Sequence, residues 1–442
     1  MLRSTAAPPP PKSPGASVSR FANLPFFYGW VILAIAVVAT VATTPGQTHG
    51  VTIFNPFFTE HLKLTKTQLS GAYMVATLLA GFTMPWLGSW MDKRGIRVMM
   101  TLVVCGLSGT CLLASYVADF ASLLVVFFLF RMLGQGALSL LATNAVGMWF
   151  DTRLGTANGI LSVLSTLITS QVLLGMNQLV LDAGWRMTYR IIAICIAASL
   201  LPLLAFLFRN RPEDIGGYPD GVAGPLNSTV DYQQQGHQVQ LSFDFGRVLR
   251  TRCYWILIAT HVAWSLIGTA LIFHIHGLFE SRGLATTAAN QTLTQLFIAA
   301  AAIQLVSGIL ADRIPLHLLL ATSSGGMLVA TGMLLSANPS LLGAGYLVFG
   351  MSQAITGVVS GTIFIRYFGR NHIGKIRGSV FSAMVAGSAL GPFVMGYLYE
   401  QLGSFNPSLW LFAGSFLAVT ILTMLATPPK PDQATASPEN HQ

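Results

Sequence analysis

The chain has 442 residues, of which 53% are hydrophobic and only 9% charged, against roughly 25% charged in an average soluble domain. A mean hydropathy of +0.63 excludes a large water-soluble core. The formal charge of +9 does not point to nucleic acid, because the basic residues are dispersed among loops rather than gathered in one patch.

The chain opens with Pro8–Pro11 and scattered Ser and Ala beside Arg3, Lys12 and Arg20. No apolar segment with a small-residue cleavage site follows, so residues 1–25 read as a disordered tail and not a signal peptide. Apolar runs of about 20 residues, each able to cross roughly 30 Å of hydrocarbon, then predict helices at 26–54, 68–88, 98–118, 121–150, 153–180 and 186–208. Six more follow at 252–279, 286–310, 315–335, 339–367, 374–401 and 405–426. Phe26-Phe27-Tyr28-Gly29-Trp30 places aromatics where the first helix meets the interface. Pro45-Gly46 breaks that helix just before Gln47 and His49. In lipid such a break is tolerated only where backbone is buried or faces a cavity.

The long polar interruption at 209–251, with Pro212, Glu213, Asp214, Asp220 and Asp231, reads as a linker between a bundle at 26–208 and a second at 252–426. Residues 427–442 form the other tail. The four cysteines, Cys105, Cys111, Cys195 and Cys253, have no spacing for disulfides or zinc and read as packing residues.

A compact knot of charge, Gly88-Ser-Trp-Met-Asp92-Lys93-Arg94-Gly95-Ile-Arg97, stands between two apolar runs. A weaker copy, Gly308-Ile-Leu-Ala-Asp312-Arg313, follows later in the chain (308 − 88 = 220). Trp149-Phe150 with Gly155 and Gly159 is echoed at a similar offset by Tyr367-Phe368 with Gly374 and Gly378 (367 − 149 = 218). His49-Gly50 is faintly echoed by His276-Gly277 (276 − 49 = 227). Similar offsets imply a duplication, and parallel six-helix halves are an arrangement suited to alternating access. Of the 24 Lys and Arg residues, Lys63, Lys66, Arg186, Arg190 and Arg282 fall on one side, Arg131 on neither, and the rest on the side of Arg94 and both termini. The positive-inside rule makes that side cytoplasmic.

Arg131 sits about ten residues into the fourth helix, roughly 15 Å deep. A guanidinium there faces a cavity, a partner or a bound anion, so Arg131 is either a substrate or coupling residue or a structural hub. All acidic residues lie in tails, loops or helix ends, which disfavours a cationic substrate and leaves an anion or a neutral solute. Titration near neutral pH then falls to His49, His261, His274 and His276. Gln47, Asn144, Gln171, Gln295 and Gln353, with Arg131, His49, His261 and His274, are the candidate solute-binding residues; the amides equally suit bonds between helices. No third ligand joins His274 and His276, so no metal and no cofactor is expected. The absence of P-loop, Gly-x-Ser-x-Gly and His-Glu-x-x-His motifs argues against a membrane enzyme.

The knot at Gly88, Asp92, Lys93, Arg94, Gly95 and Arg97 resembles the signature loop of the major facilitator superfamily, which implies an all-α membrane protein with twelve helices in two pseudo-symmetric bundles. Gly308, Asp312 and Arg313 are its second copy, and both are expected to gate the cycle. Arg131-Met-Leu-Gly134-Gln-Gly136 resembles a fourth-helix motif of proton-coupled facilitators. Phe27-Tyr-Gly-Trp30, Pro45-Gly46-Gln47, Gly184-Trp-Arg186, Arg211-Pro-Glu-Asp214, Pro219-Asp-Gly221, Tyr367-Phe-Gly-Arg370 and Gly387-Ser-Ala-Leu-Gly391-Pro392 are similar to bacterial members of the monocarboxylate transporter and oxalate/formate antiporter group. The resemblance implies a monomeric carrier of a small organic anion in the cell inner membrane, possessing both termini in the cytoplasm and capable of proton symport. That group often binds carboxylates with an eighth-helix arginine or an eleventh-helix lysine. Here the eighth helix offers Gln291, Gln295 and Gln304, and the body of the eleventh no cation, which leaves room for a neutral solute such as a vitamin. Export or exchange is the other alternative, and a sensor the remote one.

Overall fold

The structure, a computed structural model, describes residues 26–221, 243–336 and 338–429. The expected tails fall outside these residues apart from 427–429, as does most of the middle of the linker. Among the described residues the long elements are all helices and no strand forms. Lipid imposes this, because a helix satisfies its own N–H and C=O groups within one segment.

Among the described residues, ten helices are long and apolar enough to cross a membrane. One of them is two crossings joined at Gly184, whose φ of 78° lets the chain reverse without a loop. Lys66–Arg94, diluted by Gly, Ser and Thr, is a further crossing. The twelve form two six-helix bundles. They are α1 (Gly29–Leu62), α2 (Lys66–Arg94), α3 (Ile96–Ala114), α4 (Phe120–Trp149), α5 (154–183), α6 (185–207), α7 (Arg252–Phe273), α8 (Thr286–Arg313), α9 (Leu316–Leu334), α10 (Pro339–Phe368), α11 (Ile373–Leu402) and α12 (Asn406–Met424).

Local chemistry sets the ends. Thr65 and Gln68 cap α2 reciprocally, at 3.2 and 2.9 Å, and Asp119 with Ser122 does the same for α4. The Ser122 N–H and O–H hold the Asp119 carboxyl below its ordinary range. The sequence places the end of the second helix at 88, but α2 runs on to Arg94. The charged knot is therefore mostly the last two turns of α2, because Gly95 alone, at φ 82°, turns the chain into α3. The first helix likewise continues past 54: a tight turn at Thr44–Gly46 and an extended Gln47 interrupt it, and Thr48–Leu62 resumes. Phe54 from the resumed part stacks on buried Tyr189, ring centroids 4.0 Å apart, which anchors it to α6.

The break in α1 packs on a second irregularity. Over Phe130–Leu138 the backbone of α4 widens to π-helical hydrogen bonding, a distortion often found at functional sites. Gly46 presses against it, and a Cβ there would strike the Phe130 carbonyl and Gly134 Cα.

Two crossings join the bundles, α2 with α11 and α5 with α8. In the second, a Cβ on Gly308 would lie 2.7 Å from the Gly155 carbonyl oxygen and 3.0 Å from Gly159 Cα. Gly308→Leu should therefore disfavour this closed seam by about 1–3 kcal/mol, since backbone cannot yield as a side chain can. Spin labels on Lys93→Cys and Arg313→Cys, with the native cysteines replaced by serine, should report a longer separation in that variant. An unchanged distance distribution would show that the seam tolerates the bulk.

Candidate functional site

At one end of the molecule the two halves are fastened by carboxylates. Asp92, near the end of α2, accepts hydrogen bonds from the Gly374 and Lys375 N–H groups at 2.9 and 3.0 Å. These are free donors at the start of α11, where the helix dipole favours an anion. Asp312, near the end of α8, does the same to Gly155 and Thr156 at the start of α5, at 2.7 and 2.8 Å, and also accepts from Thr156 Oγ1 at 2.7 Å. The copies are not equal. Asp312 also pairs with Arg366 at 2.6 Å, both side chains nearly buried, and Arg366 reaches the Asp151 and Thr152 carbonyls of the other half.

The other knot residues stay within their own half or at the surface. Arg97 Nε donates to the Leu204 carbonyl at 2.9 Å and its Nη2 to that of Ala205, so it caps the C-terminus of α6. Arg94 lies over the Trp90 ring. Lys93 and Arg313 are exposed.

The described parts of the linker strap the same end. Asp220 accepts from the Thr152 N–H and Oγ1 at 2.7 and 2.8 Å, and Trp149 Nε1 donates to the Arg209 carbonyl at 3.2 Å. Phe27 packs edge-on against Phe150, Tyr28 donates to the Leu207 carbonyl at 2.6 Å, and Phe243 N–H reaches the Phe368 carbonyl at 3.0 Å. The aromatic and linker signatures seen in the sequence meet here.

Among the described residues, every hydrogen bond between the halves lies at this end. The last ones inward are Ser382 Oγ to the Gly81 carbonyl at 2.6 Å and Thr166 to Gln304 at 3.5 Å. From Asp92 to Gly81 is eleven residues of helix, a plug about 16 Å thick.

Within the plug lies a chamber of about 160 Å³ lined by Thr40, Ser139, Thr143, Asn158, Ser162, Ser165, Ser360 and Arg377, with Leu161, Gly357 and Gly361. Hydroxyls dominate, and Arg377 is the one charged residue of the lining. Arg377 Nη1 donates to Asn144 Oδ1 at 2.6 Å, and Asn158 Nδ2 donates to Thr362 Oγ1 at 3.2 Å. Both bonds cross between halves.

Of the residues singled out in the sequence, Asn144 thus sits against the chamber and Gln47 borders it, donating to Thr43 at 3.1 Å and, at 3.5 Å, to Ser139. Arg131 lies elsewhere, inside the first bundle. Its Nη1 is 3.5 Å from Thr48 Oγ1, its guanidinium carbon 5.0 Å from the Tyr73 ring centroid, and its Nε is buried without a partner. Tyr73 in turn donates to Thr48 at 2.9 Å. His49 is exposed just beyond the break in α1.

The other histidines belong to the second bundle. His261 is buried, donating from Nδ1 to the Leu257 carbonyl at 2.7 Å against the Phe364 ring. His274 Nε2 donates to the Pro392 carbonyl at 3.0 Å, and His276 meets Asn290 Oδ1 at 2.9 Å on the surface. Gln171, Gln295 and Gln353 are exposed on α5, α8 and α10.

The expectation that the eleventh helix lacks an interior cation is corrected: Arg377, in the second turn of α11, lines the chamber between the halves. The repeat carries the missed signal, because Arg377 between Gly374 and Gly378 matches Asn158 between Gly155 and Gly159.

A sequence profile of the Major Facilitator Superfamily matches residues 31–290 and 253–442. The chain belongs to the Major Facilitator Superfamily. An uncharacterized transporter of this superfamily type from Bacillus subtilis, YcxA, is 26% identical over 152 residues, or 34% of this chain; the match spans 36% of that relative's length. The fold is similar to that of the transporter FucP in the outward conformation, with a TM-score of 0.67 and 14% identity over 91% of this chain and 100% of that one. It is also similar to the human organic anion transporter MFSD10, with a TM-score of 0.62 and 17% identity over 93% and 100% of the two chains.

The inequality of Asp92 and Asp312 has a measurable consequence. Asp312→Asn leaves nearly buried Arg366 without its counter-charge, a loss of about 3–5 kcal/mol. Asp92→Asn weakens two charge-assisted bonds, roughly 1–3 kcal/mol. In the spin-label pair described above, Asp312→Asn should populate the separated form more than Asp92→Asn. Equal shifts would mean that Arg366 finds another partner.

Proposed function

We propose that the protein is a secondary transporter that moves a small organic anion, a monocarboxylate, across the cell inner membrane by alternating access with proton symport. The observation that carries this reading is the chamber between the halves with a guanidinium in its wall. Its volume of about 160 Å³ is that of about five waters, the size of a small organic acid. Arg131 supplies a second cation, this one buried, on the same bundle as the α1 break, and the membrane core offers no acidic residue to balance either charge. Buried charge of one sign calls for an occupant of the other.

The gate carboxylates fasten the end that carries most of the Lys and Arg residues. By the positive-inside rule that end is cytoplasmic, so this state is open outward and both termini are cytoplasmic. The working unit is a monomer, since each half finds its partner in the same chain. The candidate roles follow from position: Arg377, Asn144 and Gln47 at the chamber, Arg131 with His49 beyond it, and Asp92 and Asp312 at the gate. A neutral polar solute is the second reading, supported by the hydroxyls that fill the rest of the wall.

Counterflow of radiolabelled monocarboxylates, dicarboxylates and uncharged vitamins in proteoliposomes decides between them; exchange confined to uncharged solutes would sink the anion reading. Proton coupling adds a pH test. A protonated imidazole at His49 is positively charged. That charge favours an anion, so uptake should be highest near pH 5.5 and fall as pH rises toward 7.5. His49→Gln should flatten that fall. A parental profile in this variant would place the coupling proton elsewhere.

A further inference from the structure

We infer that Arg377 is the residue that recognises the anion in the chamber, and that Asn144, reaching it from the opposite half, is its positioning residue. This rests on the anion reading above and assigns that reading its binding group. Arg377 rises from the second turn of α11 and lies deep between the bundles, yet it still contributes to the wall of the chamber. Among the described residues its one hydrogen bond is from Nη1 to Asn144 Oδ1, and no carboxylate pairs with it. A guanidinium carries five N–H donors in a planar fork that matches a carboxylate edge. Four of them remain for whatever occupies the chamber.

The duplication shows that the charge is not there to hold the halves together. Arg377 corresponds to Asn158 in the first half (377 − 158 = 219), and its partner Asn144 corresponds to Thr362 in the second (362 − 144 = 218). At the second of these paired positions a neutral amide bridges the halves, Asn158 to Thr362 at 3.2 Å. Bridging therefore needs no cation. A guanidinium in place of the amide adds fixed positive charge and reach, and both act on the contents of the chamber. Ser139 on α4 and Ser360 on α10 share its wall and supply O–H donors for the oxygen that the fork leaves free. An anion held this way touches both halves at once, as a solute that travels through an alternating cavity must. Arg131 does not line this chamber. Its neighbours Thr48 and Tyr73 come from its own bundle.

The test is thermal stabilisation of the purified full-length protein by lactate, benzoate and succinate, each beside its amide. Three variants are compared with wild type. Asn144→Asp keeps the shape and the bond to Nη1 but cancels the guanidinium charge. Its carboxylate affinity should fall about a hundredfold, with any amide response unchanged and the unliganded protein at least as heat-stable as wild type. A residue that merely braces the seam would give the added heat stability without the selective loss. Arg377→Lys keeps the charge without the fork and should bind carboxylates about tenfold more weakly. Arg377→Gln should abolish the carboxylate response. Wild-type carboxylate affinity in both Asn144→Asp and Arg377→Gln would overturn the inference and leave Arg131 as the anion's partner. If wild type responds to none of the three carboxylates, the anion reading itself fails, and the role of Arg377 with it.

Discussion

The closed state depends on two carboxylates that sit on helix starts belonging to the opposite half. A helix N-terminus presents N–H groups that the helix itself cannot satisfy. Asp92 supplies the acceptor for α11, and Asp312 for α5. Each bond is charge-assisted and aligned with the helix dipole. When the halves part, the same N–H groups and carboxylates meet water, which satisfies both. The net gain on closing is therefore modest, and modest is what a reversible gate requires: a bond worth its full vacuum strength would lock the protein in one state.

Geometry makes those bonds possible. The carboxylates reach the opposing helices only because backbone approaches backbone at Gly88 against Gly374 and at Gly155 against Gly308. Between these contacts the helices diverge enough to leave a small polar chamber. The hydroxyls along its wall are mostly on small side chains, so they furnish hydrogen bonds without filling the space. The seam and the chamber are thus one feature, close-packed where glycine allows it and hollow where serine and threonine replace it.

The sequence revealed much of this and concealed the rest for physical reasons. Twelve apolar runs, the break at Pro45-Gly46 and the repeated Asp92 and Asp312 were legible because each leaves a local mark: hydrophobic length, a helix breaker, or charge between apolar runs. The ends of α2 and α1 were misplaced because Gly95 turns the chain in a single residue and because α1 resumes after its break. Arg377 reads as a loop cation because it stands in the second turn of a helix that begins beside charged loops. Only its alignment with Asn158 through the duplication marks it as interior. Linear order gave no sign that Asp220 of the linker holds the Thr152 backbone, 68 residues away. The histidines were found by residue type alone, and burial separates them: His261 is sealed against Phe364, while His49 stays accessible.

The two halves have kept the same scaffold and diverged in charge. Both place a carboxylate near the end of one helix and a polar residue between two glycines near the start of another, yet each copy loads its positive charge differently. In one half-to-half contact the cation is Arg366, already neutralised by Asp312 and engaged with the Asp151 and Thr152 carbonyls. In the other it is Arg377, whose partner is a neutral amide. A neutralised cation strengthens the contact between the halves and is indifferent to what lies in the chamber. An unneutralised one, in surroundings of low dielectric, is stabilised most by an arriving anion. On the proposal that Arg377 meets the anion, the duplication separates two tasks that a symmetric dimer would have to share: one copy holds the end shut, and the other senses the solute.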